Sequence, residues 1–136
     1  MEIYLEKSNG GIRAADEFER EKLKKLRNGH YKVEIKQARN YKFHKKYFAL
    51  LNYVLENQDK YTSLEPLRRE IIMKTGRYEA HHHVHGGVSY YPQSISFAKM
   101  SEEEFKDLVS DSINVILRDF CTQIRDDQLW HIAGFI

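Results

Sequence analysis

The feature that most constrains this chain is a single apolar stripe at helical spacing in its second quarter. From Tyr41 to about Asn57, apolar side chains recur three or four positions apart. Residues at that spacing share one face of an α-helix, so the stretch predicts an amphipathic helix whose apolar side needs a core to cover it. The stripe consists of Phe43, Tyr47, Leu50, Leu51, Val54 and Leu55.

Three further helices are predicted around this one. The first covers about residues 15–26. The second begins at Thr62-Ser63-Leu64-Glu65 and stops at Gly76, and the third begins at Ser101-Glu102-Glu103-Glu104 and runs to about residue 121. Both starts match a capping box, in which a hydroxyl and a glutamate three positions later satisfy backbone amides at the helix start. A glycine is the usual residue just past a helix end.

Short strands are predicted between the helices. Residues 3–5 and the turn Asn9-Gly10-Gly11 suggest a small hairpin. Residues 31–36 alternate apolar and polar side chains, which predicts a half-buried strand with Tyr31, Val33 and Ile35 pointing inward. A second hairpin is predicted from residues 77–84 and 88–91, followed by an extended stretch at 94–98.

These elements predict an α+β fold, with a small antiparallel sheet and three to four helices in a single domain over residues 1–136. A length of 136 residues suits one core better than two. The tail, residues 122–136, ends in the apolar run Leu129–Ile136. Because such a run is seldom left in water, we expect the tail to dock on the core or on the partner of a dimer.

Composition excludes several classes of protein. The sequence contains no run of about 18 apolar residues, so no segment is expected to span a membrane. The opening residues lack an apolar signal region, and Cys121 is the single cysteine, so we expect a reducing, cytoplasmic setting without disulfides. Phosphate-loop, dinucleotide-binding and kinase motifs are absent from the sequence, and no catalytic constellation is apparent. We therefore expect neither an enzyme nor a cofactor.

Positive charge is concentrated in one short region. Residues 30–46 carry six basic side chains and one acidic side chain, a net charge of +5, although the whole chain carries only +2. Lys42, Lys45 and Lys46, with His44 beside them, fall in the first turns of the striped helix. A helix N-terminus already bears about half a positive charge, so lysines there are unfavourable unless an anion binds. The alternative is an ordinary solvated basic face.

The candidate nucleic-acid contacts extend on either side of these lysines. Asn40 is the predicted N-cap of the helix. Arg39 precedes it and can donate two hydrogen bonds to one phosphate, and Tyr41 can stack on a base. A lesser basic set lies at the second long helix. The candidate contacts are Arg39, Asn40, Tyr41, Lys42, His44, Lys45, Lys46, Arg68 and Arg69.

A histidine run offers a different kind of site. On a strand, His81, His83 and His85 point to one face and could hold Zn²⁺. However, the run contains no carboxylate, and Glu79 is the nearest. The alternatives are exposed polar side chains near a turn, or neutral contacts to nucleic acid.

The run Arg39-Asn40 followed by Phe43-His44-Lys45-Lys46-Tyr47-Phe48-Ala49-Leu50-Leu51 resembles a motif of an uncharacterised family of small phage and prophage proteins. Members of that family often lie among phage recombination genes, and the resemblance covers most of the chain, including residues 94–100. The order of elements also resembles, more distantly, the NinB/Orf recombination-mediator family of lambdoid phages. That family likewise has a strand, an Arg-Asn step, a basic helix, a second helix, a hairpin and a closing helix.

The resemblance implies a homodimer that binds single-stranded DNA and the host single-strand-binding protein, and that helps to load a recombinase or annealing protein. By motif match, Arg39, Lys42, Lys45 and Lys46 would be DNA contacts. The histidine run and the apolar tail depart from the NinB/Orf pattern, which leaves the protein partner open.

The leading hypothesis is a phage-type, non-enzymatic protein that binds single-stranded or branched DNA, with RNA also open. The first alternative is a phage protein that inhibits a host defence or nuclease complex through its basic surface. The second is a metal-dependent nuclease that uses the histidine run.

Overall fold

The computed structural model describes residues 1–38 and 40–135, and the chain divides into two compact units, residues 1–38 and residues 39–136. Both units combine helices with a two-stranded antiparallel sheet, which confirms the α+β prediction. The described residues contain five α-helices, and their strands form two separate pairs instead of one sheet. The organisation of the chain as a single domain stays a prediction.

The first unit holds a hairpin and a short helix. Strands β1 (Leu5–Ser8) and β2 (Gly11–Ala14) pair antiparallel, and helix α1 covers Glu17–Lys24. The turn between the strands needs positive φ at both of its residues, Asn9 (42°) and Gly10 (81°), which is why this dipeptide suits it. The predicted hairpin is confirmed, although its first strand begins two residues later than predicted.

A buried carboxylate joins the start of the chain to α1. Glu19 is fully buried, and it accepts hydrogen bonds from the backbone amide of Tyr4 (2.9 Å) and from the Lys22 ammonium (3.0 Å). A carboxylate without water needs such partners, since an unpaired charge in the interior is costly. The hydrogen bond from the Tyr4 amide therefore fixes the start of the chain on α1, while Lys22 of the same helix balances the charge of the carboxylate.

The predicted strand at residues 31–36 is wrong within this chain. The segment has no regular secondary structure, and Tyr31, Val33 and Ile35 are 54%, 72% and 70% exposed instead of inward. An alternating pattern makes a strand only where a neighbouring strand accepts its backbone hydrogen bonds. Neither strand of the first unit lies beside it, because β1 and β2 pair only with each other.

The second unit has a helical core with one hairpin. Helices α2 (Tyr41–Glu56), α3 (Leu64–Lys74), α4 (Glu102–Asp119) and α5 (Asp126–Ile132) pack together, and β3 (Tyr78–His82) pairs with β4 (Val88–Pro92). The α2 stripe is confirmed as a core face, with Leu55 only partly buried. The fully buried core side chains include Leu50, Leu51, Val54, Leu67, Ile71, Phe105, Leu108, Val109, Ile116 and Leu129.

Two predicted capping boxes have different outcomes. The box at Ser101 is confirmed, since its hydroxyl accepts from the Glu104 amide and the Glu104 carboxylate accepts from the Ser101 amide. The box at Thr62 is wrong, because α3 begins one residue later with Ser63 as its N-cap and without a side-chain cap bond. Gly76 ends α3 as predicted, with a φ of +87°.

Replacing Ser101 with alanine should lower the free energy of unfolding by about 1 kcal/mol, because the Glu104 amide loses its capping acceptor. Urea unfolding followed by circular dichroism measures the change. Ser63→Ala is the matched control, since that serine occupies an N-cap without making the bond, and we expect a clearly smaller loss. Equal losses in the two variants would contradict a role for the Ser101 cap.

The segment between the hairpin and α4 differs from its predicted extended form. Residues 97–99 form a 3₁₀ turn, in which the Met100 amide donates to the Phe97 carbonyl (3.2 Å). The turn buries the Phe97 ring, which is 7% exposed, against α2. Burial of one large aromatic side chain outweighs a weak extended pattern that has no strand partner.

The tail contributes the fifth helix. Leu129 and Ala133 are fully buried, and α5 contacts both α2 and α4. Beyond α5 the ring of Phe135 lies 5.8 Å from that of Phe105, measured between centroids. Over the described part of the chain, none of the helices combines the length and apolarity needed to cross a bilayer.

Candidate functional site

The start of α2 carries charges opposite to those of the other described helices. Its first turn has no acidic residue, whereas α1, α3, α4 and α5 each begin with at least one. Lys42 lies in that turn, and Lys45 and Lys46 lie in the next. Because the helix dipole places partial positive charge at this end, the lysines oppose it instead of balancing it. The unfavourable charge arrangement makes this end the first candidate site.

Lys42, Lys45 and Lys46 form what we call the basic face. At 3.6 residues per turn they lie within an arc of about 100° on the helix. Lys42 and Lys45 are exposed, and Lys46 is half-buried. None of the three pairs with a carboxylate of residues 1–38 or 40–135. The face therefore keeps its three charges available to an external anion.

Aromatic rings support each ammonium group of the basic face. Lys42 Nζ lies 5.4 Å from the Phe43 ring centroid, and Lys45 Nζ lies 5.8 Å from that of Tyr41. Lys46 Nζ lies 5.2 Å from the centroid of Phe135. Cations over ring faces are held electrostatically while their other sides stay open to solvent. The lysines are thus restrained without being neutralised.

The closing turn of the chain touches the basic face directly. Gly134 has a φ of +80°, and a Cβ placed on it would come within 3.0 Å of Lys46 Cε. Sequence reasoning did not include Phe135 or Gly134 in the site. The only signal for them was the apolar tail, which predicts docking but not where it occurs.

Asn40 occupies the N-cap position of α2, as expected, but its side chain has another role. Its amide Nδ2 donates to two carbonyl oxygens, those of Phe97 and Met100, both at 2.9 Å. It makes no side-chain cap bond to α2. The amide group therefore ties the start of α2 to the 3₁₀ turn before α4, and it leaves the first amides of α2 without a side-chain cap.

His44 is not on the basic face. It is 5% exposed, and its ring stacks on that of Phe48 at 4.3 Å and meets the edge of Phe97 at 5.6 Å. The ring of Tyr41, which is half-buried, stacks with that of His44 at 5.9 Å between centroids. The structure thus places His44 in a buried aromatic cluster at the start of α2, with little of its ring open to solvent.

The remaining basic candidates differ in their surroundings. Arg39 lies outside the described residues. Arg68 forms a two-point ion pair with Glu65, and Arg69 Nε lies 3.5 Å from the same carboxylate. The hydrogen bond from Arg68 lowers the pKa of Glu65, which keeps the carboxylate charged. Glu65 therefore offsets much of the positive charge that these two arginines would offer to a phosphate.

The histidine run does not assemble a metal site. His81 and His83 lie edge to face with ring centroids 5.1 Å apart, and His83 Nε2 is 2.6 Å from Ser89 Oγ. His85 belongs to the turn between β3 and β4, outside both strands. Across the described parts of the chain, no group of three potential ligands is close enough to hold a metal ion. The structure therefore gives no support to the nuclease alternative.

One of the concave surfaces of the second unit is shallow and mostly apolar. A groove of about 340 Å³ lies between α3 and the hairpin, lined by Glu70, Met73, Lys74, Tyr78 and Tyr90. The two tyrosine rings meet edge to face at 5.4 Å. Its lysine is already paired with Asp119 at 3.3 Å. This groove has no convergent set of polar groups, so the basic face remains the better candidate.

Comparison with known proteins gives one match. A family model described as "Protein of unknown function (DUF1367)" matches residues 2–58 and 54–128, which together span most of the chain. No curated protein and no solved structure matches it.

Proposed function

This chain belongs to the family of proteins of unknown function DUF1367, and from that premise we propose that it is a non-enzymatic nucleic-acid-binding protein that holds a phosphate backbone on its basic face. The observation that carries the proposal is the set of lysines at the positive end of α2. Lys42, Lys45 and Lys46 have no described carboxylate partner, and the adjoining helix start lacks a side-chain cap.

Electrostatics explain how such a face would bind. A polyanion releases condensed counterions when lysines replace them, so each phosphate contact adds affinity at low salt. The start of α2, which has no side-chain cap, also directs partial positive charge toward the same anion. Because contacts to the phosphate backbone do not distinguish one base from another, binding should depend little on the nucleotide sequence.

The resemblance of the Arg39–Leu51 run to an uncharacterised phage family, and of the order of elements to the NinB/Orf family, supports a more specific role. We propose a NinB/Orf-like mediator that acts in the cytoplasm of a bacterial host on single-stranded or branched DNA. Its partners would be the host single-strand-binding protein and a second copy of this chain. In that role the basic face would grip the DNA while other surfaces meet the proteins.

The direct test is a titration of the whole chain against labelled oligonucleotides. Fluorescence anisotropy with single-stranded, double-stranded and branched DNA, and with single-stranded RNA, should show binding that weakens steeply from 50 to 200 mM NaCl. For three contacts the logarithm of affinity should fall by about 2 for each tenfold rise in salt. Absence of binding at 50 mM NaCl to all four substrates would overturn the proposal.

The same basic face would also suit an acidic protein surface, which is the inhibitor alternative. Both ligands would present dense negative charge to Lys42, Lys45 and Lys46. A pull-down from bacterial lysate treated with nuclease separates them. A stoichiometric protein partner captured without nucleic acid, together with failure of the oligonucleotide titration, would favour the inhibitor.

A further inference from the structure

The segment over residues 31–36 has the pattern of a strand but no strand beside it. Its apolar side chains are more than half exposed, and it makes no backbone hydrogen bond to another described residue. Tyr31 Oη donates to the Arg27 carbonyl (2.6 Å), and Lys36 Nζ lies 3.5 Å from Glu34, both at exposed positions. Such local contacts are worth little and leave the backbone donors and acceptors open.

The sequence of this segment is complementary to itself when reversed. If two copies run antiparallel with Val33 opposite Val33, Tyr31 meets Ile35 and Lys32 meets Glu34. All the apolar pairs then lie on one face, and both charged pairs lie on the other. Each charged pair joins opposite signs, and the two-fold axis generates the pair twice.

The two neighbouring registers that keep the same side chains on each face are poorer. If Glu34 lies opposite Glu34, two carboxylates meet at the axis and Lys32 meets Lys36. If Lys32 lies opposite Lys32, two ammonium groups meet at the axis. Like charges directly opposite each other destabilise a strand pair. Pairing about Val33 is therefore the register that charge and apolar pattern both select.

We propose that residues 31–35 form an antiparallel strand with the same residues of a second copy, on a two-fold axis through Val33. The inference names a surface for the homodimer put forward above, and it depends on the association of the chain, not on nucleic-acid binding. This pairing explains why residues 31–36 have the pattern of a strand although no strand of the same chain pairs with them. An isologous contact of this kind is the commonest basis of a closed dimer.

A pair of five-residue strands is a small interface. We therefore expect a dimer that dissociates in the micromolar range, at the weak end of specific association. Sedimentation equilibrium of the full chain from low to high micromolar concentration should show a monomer–dimer equilibrium.

Charge reversal tests the register. Lys32→Glu places a second carboxylate opposite Glu34, and Glu34→Lys places a second ammonium group opposite Lys32, so each change converts two attractive pairs into two repulsive ones. Each variant alone should weaken the dimer by about tenfold or more. The double change K32E/E34K exchanges the signs of every pair and should restore dimerisation.

Mixing the two single variants provides a second, stricter test. In the mixed pair both contacts again join opposite charges, so the mixture should form a heterodimer although neither variant forms a homodimer. Lys25→Glu, at an exposed position of the same unit, is the matched control for charge change and should leave the dimer intact. Circular dichroism checks that each variant keeps its fold, as expected for side chains on an unpaired segment.

Three outcomes would overturn the proposal. A chain that stays monomeric at all concentrations lacks the interface. A dimer that forms equally well in every variant uses another surface. Failure of both the double variant and the mixture to restore association would show that the singles acted through something other than the Lys32–Glu34 pairs. Oligonucleotide binding by a monomeric chain would leave the proposed function standing while this inference fails.

Discussion

Replacing Lys42, Lys45 and Lys46 together with glutamine should weaken oligonucleotide binding by about 100-fold at 0.1 M NaCl. Counterion release makes the logarithm of affinity fall by about 0.7 per single-strand phosphate contact for each tenfold rise in salt. Removal of three lysine–phosphate pairs therefore lowers affinity by about two powers of ten at 0.1 M relative to a 1 M reference, and the salt slope falls by about 2. Anisotropy titrations at several salt concentrations measure both quantities.

The control for this variant must lose the same charge elsewhere. Lys7, Lys25 and Lys106 are exposed and form no ion pair with a described residue, so K7Q/K25Q/K106Q removes three charges without touching the basic face. We expect this control to keep most of its affinity and its salt slope. Equal losses in the two triple variants would mean that net charge, and not the start of α2, governs binding.

Replacing Asn40 with aspartate should lower the free energy of unfolding by about 1–3 kcal/mol. Aspartate is as good an N-cap as asparagine, so a capping role alone would leave stability nearly unchanged. In this structure the Asn40 amide donates to the carbonyls of Phe97 and Met100. A carboxylate cannot donate, so the Met100 carbonyl would lose its Asn40 donor, at about 1–3 kcal/mol if it stays unsatisfied. The Phe97 carbonyl would keep the Met100 amide as a donor. Both carbonyls would face a negative charge.

Urea unfolding of the Asn40→Asp variant checks this expectation. Asn114→Asp is the control, because Asn114 is exposed on α4 and makes no side-chain hydrogen bond with a described residue. The control should change stability by less than about 0.5 kcal/mol. A stable Asn40→Asp variant would show that the two carbonyl contacts contribute little.

The helices of this protein could be predicted because their signals are local. The stripe from Phe43 to Val54 follows one period along α2, and the Ser101–Glu104 box lies within a single turn. Both features need only neighbours in sequence to take effect. The ion pairs of Glu65 with Arg68 and Arg69 are of the same kind, since spacings of three and four on a helix predict them.

The parts that could not be predicted depend on distant partners. A strand pattern at residues 31–36 says which side chains share a face, but a strand also requires a neighbour that the first unit does not supply. The role of Asn40 depends on carbonyls about sixty positions away. The support of Lys46 by Phe135 depends on where the tail docks, which its apolar composition leaves undetermined.

That last contact links the two ends of the second unit energetically. The aliphatic part of the Lys46 side chain lies against Gly134, and its ammonium group lies over the Phe135 ring. The final turn therefore supports a side chain that we propose contacts the ligand. Fraying of the final turn would remove these contacts and make the Lys46 ammonium group more mobile. Because such coupling is reciprocal, a polyanion that immobilises Lys46 must also oppose the fraying. Binding of an anion at the start of α2 should therefore increase the order of the final turn, and an ordered final turn should favour binding of the anion.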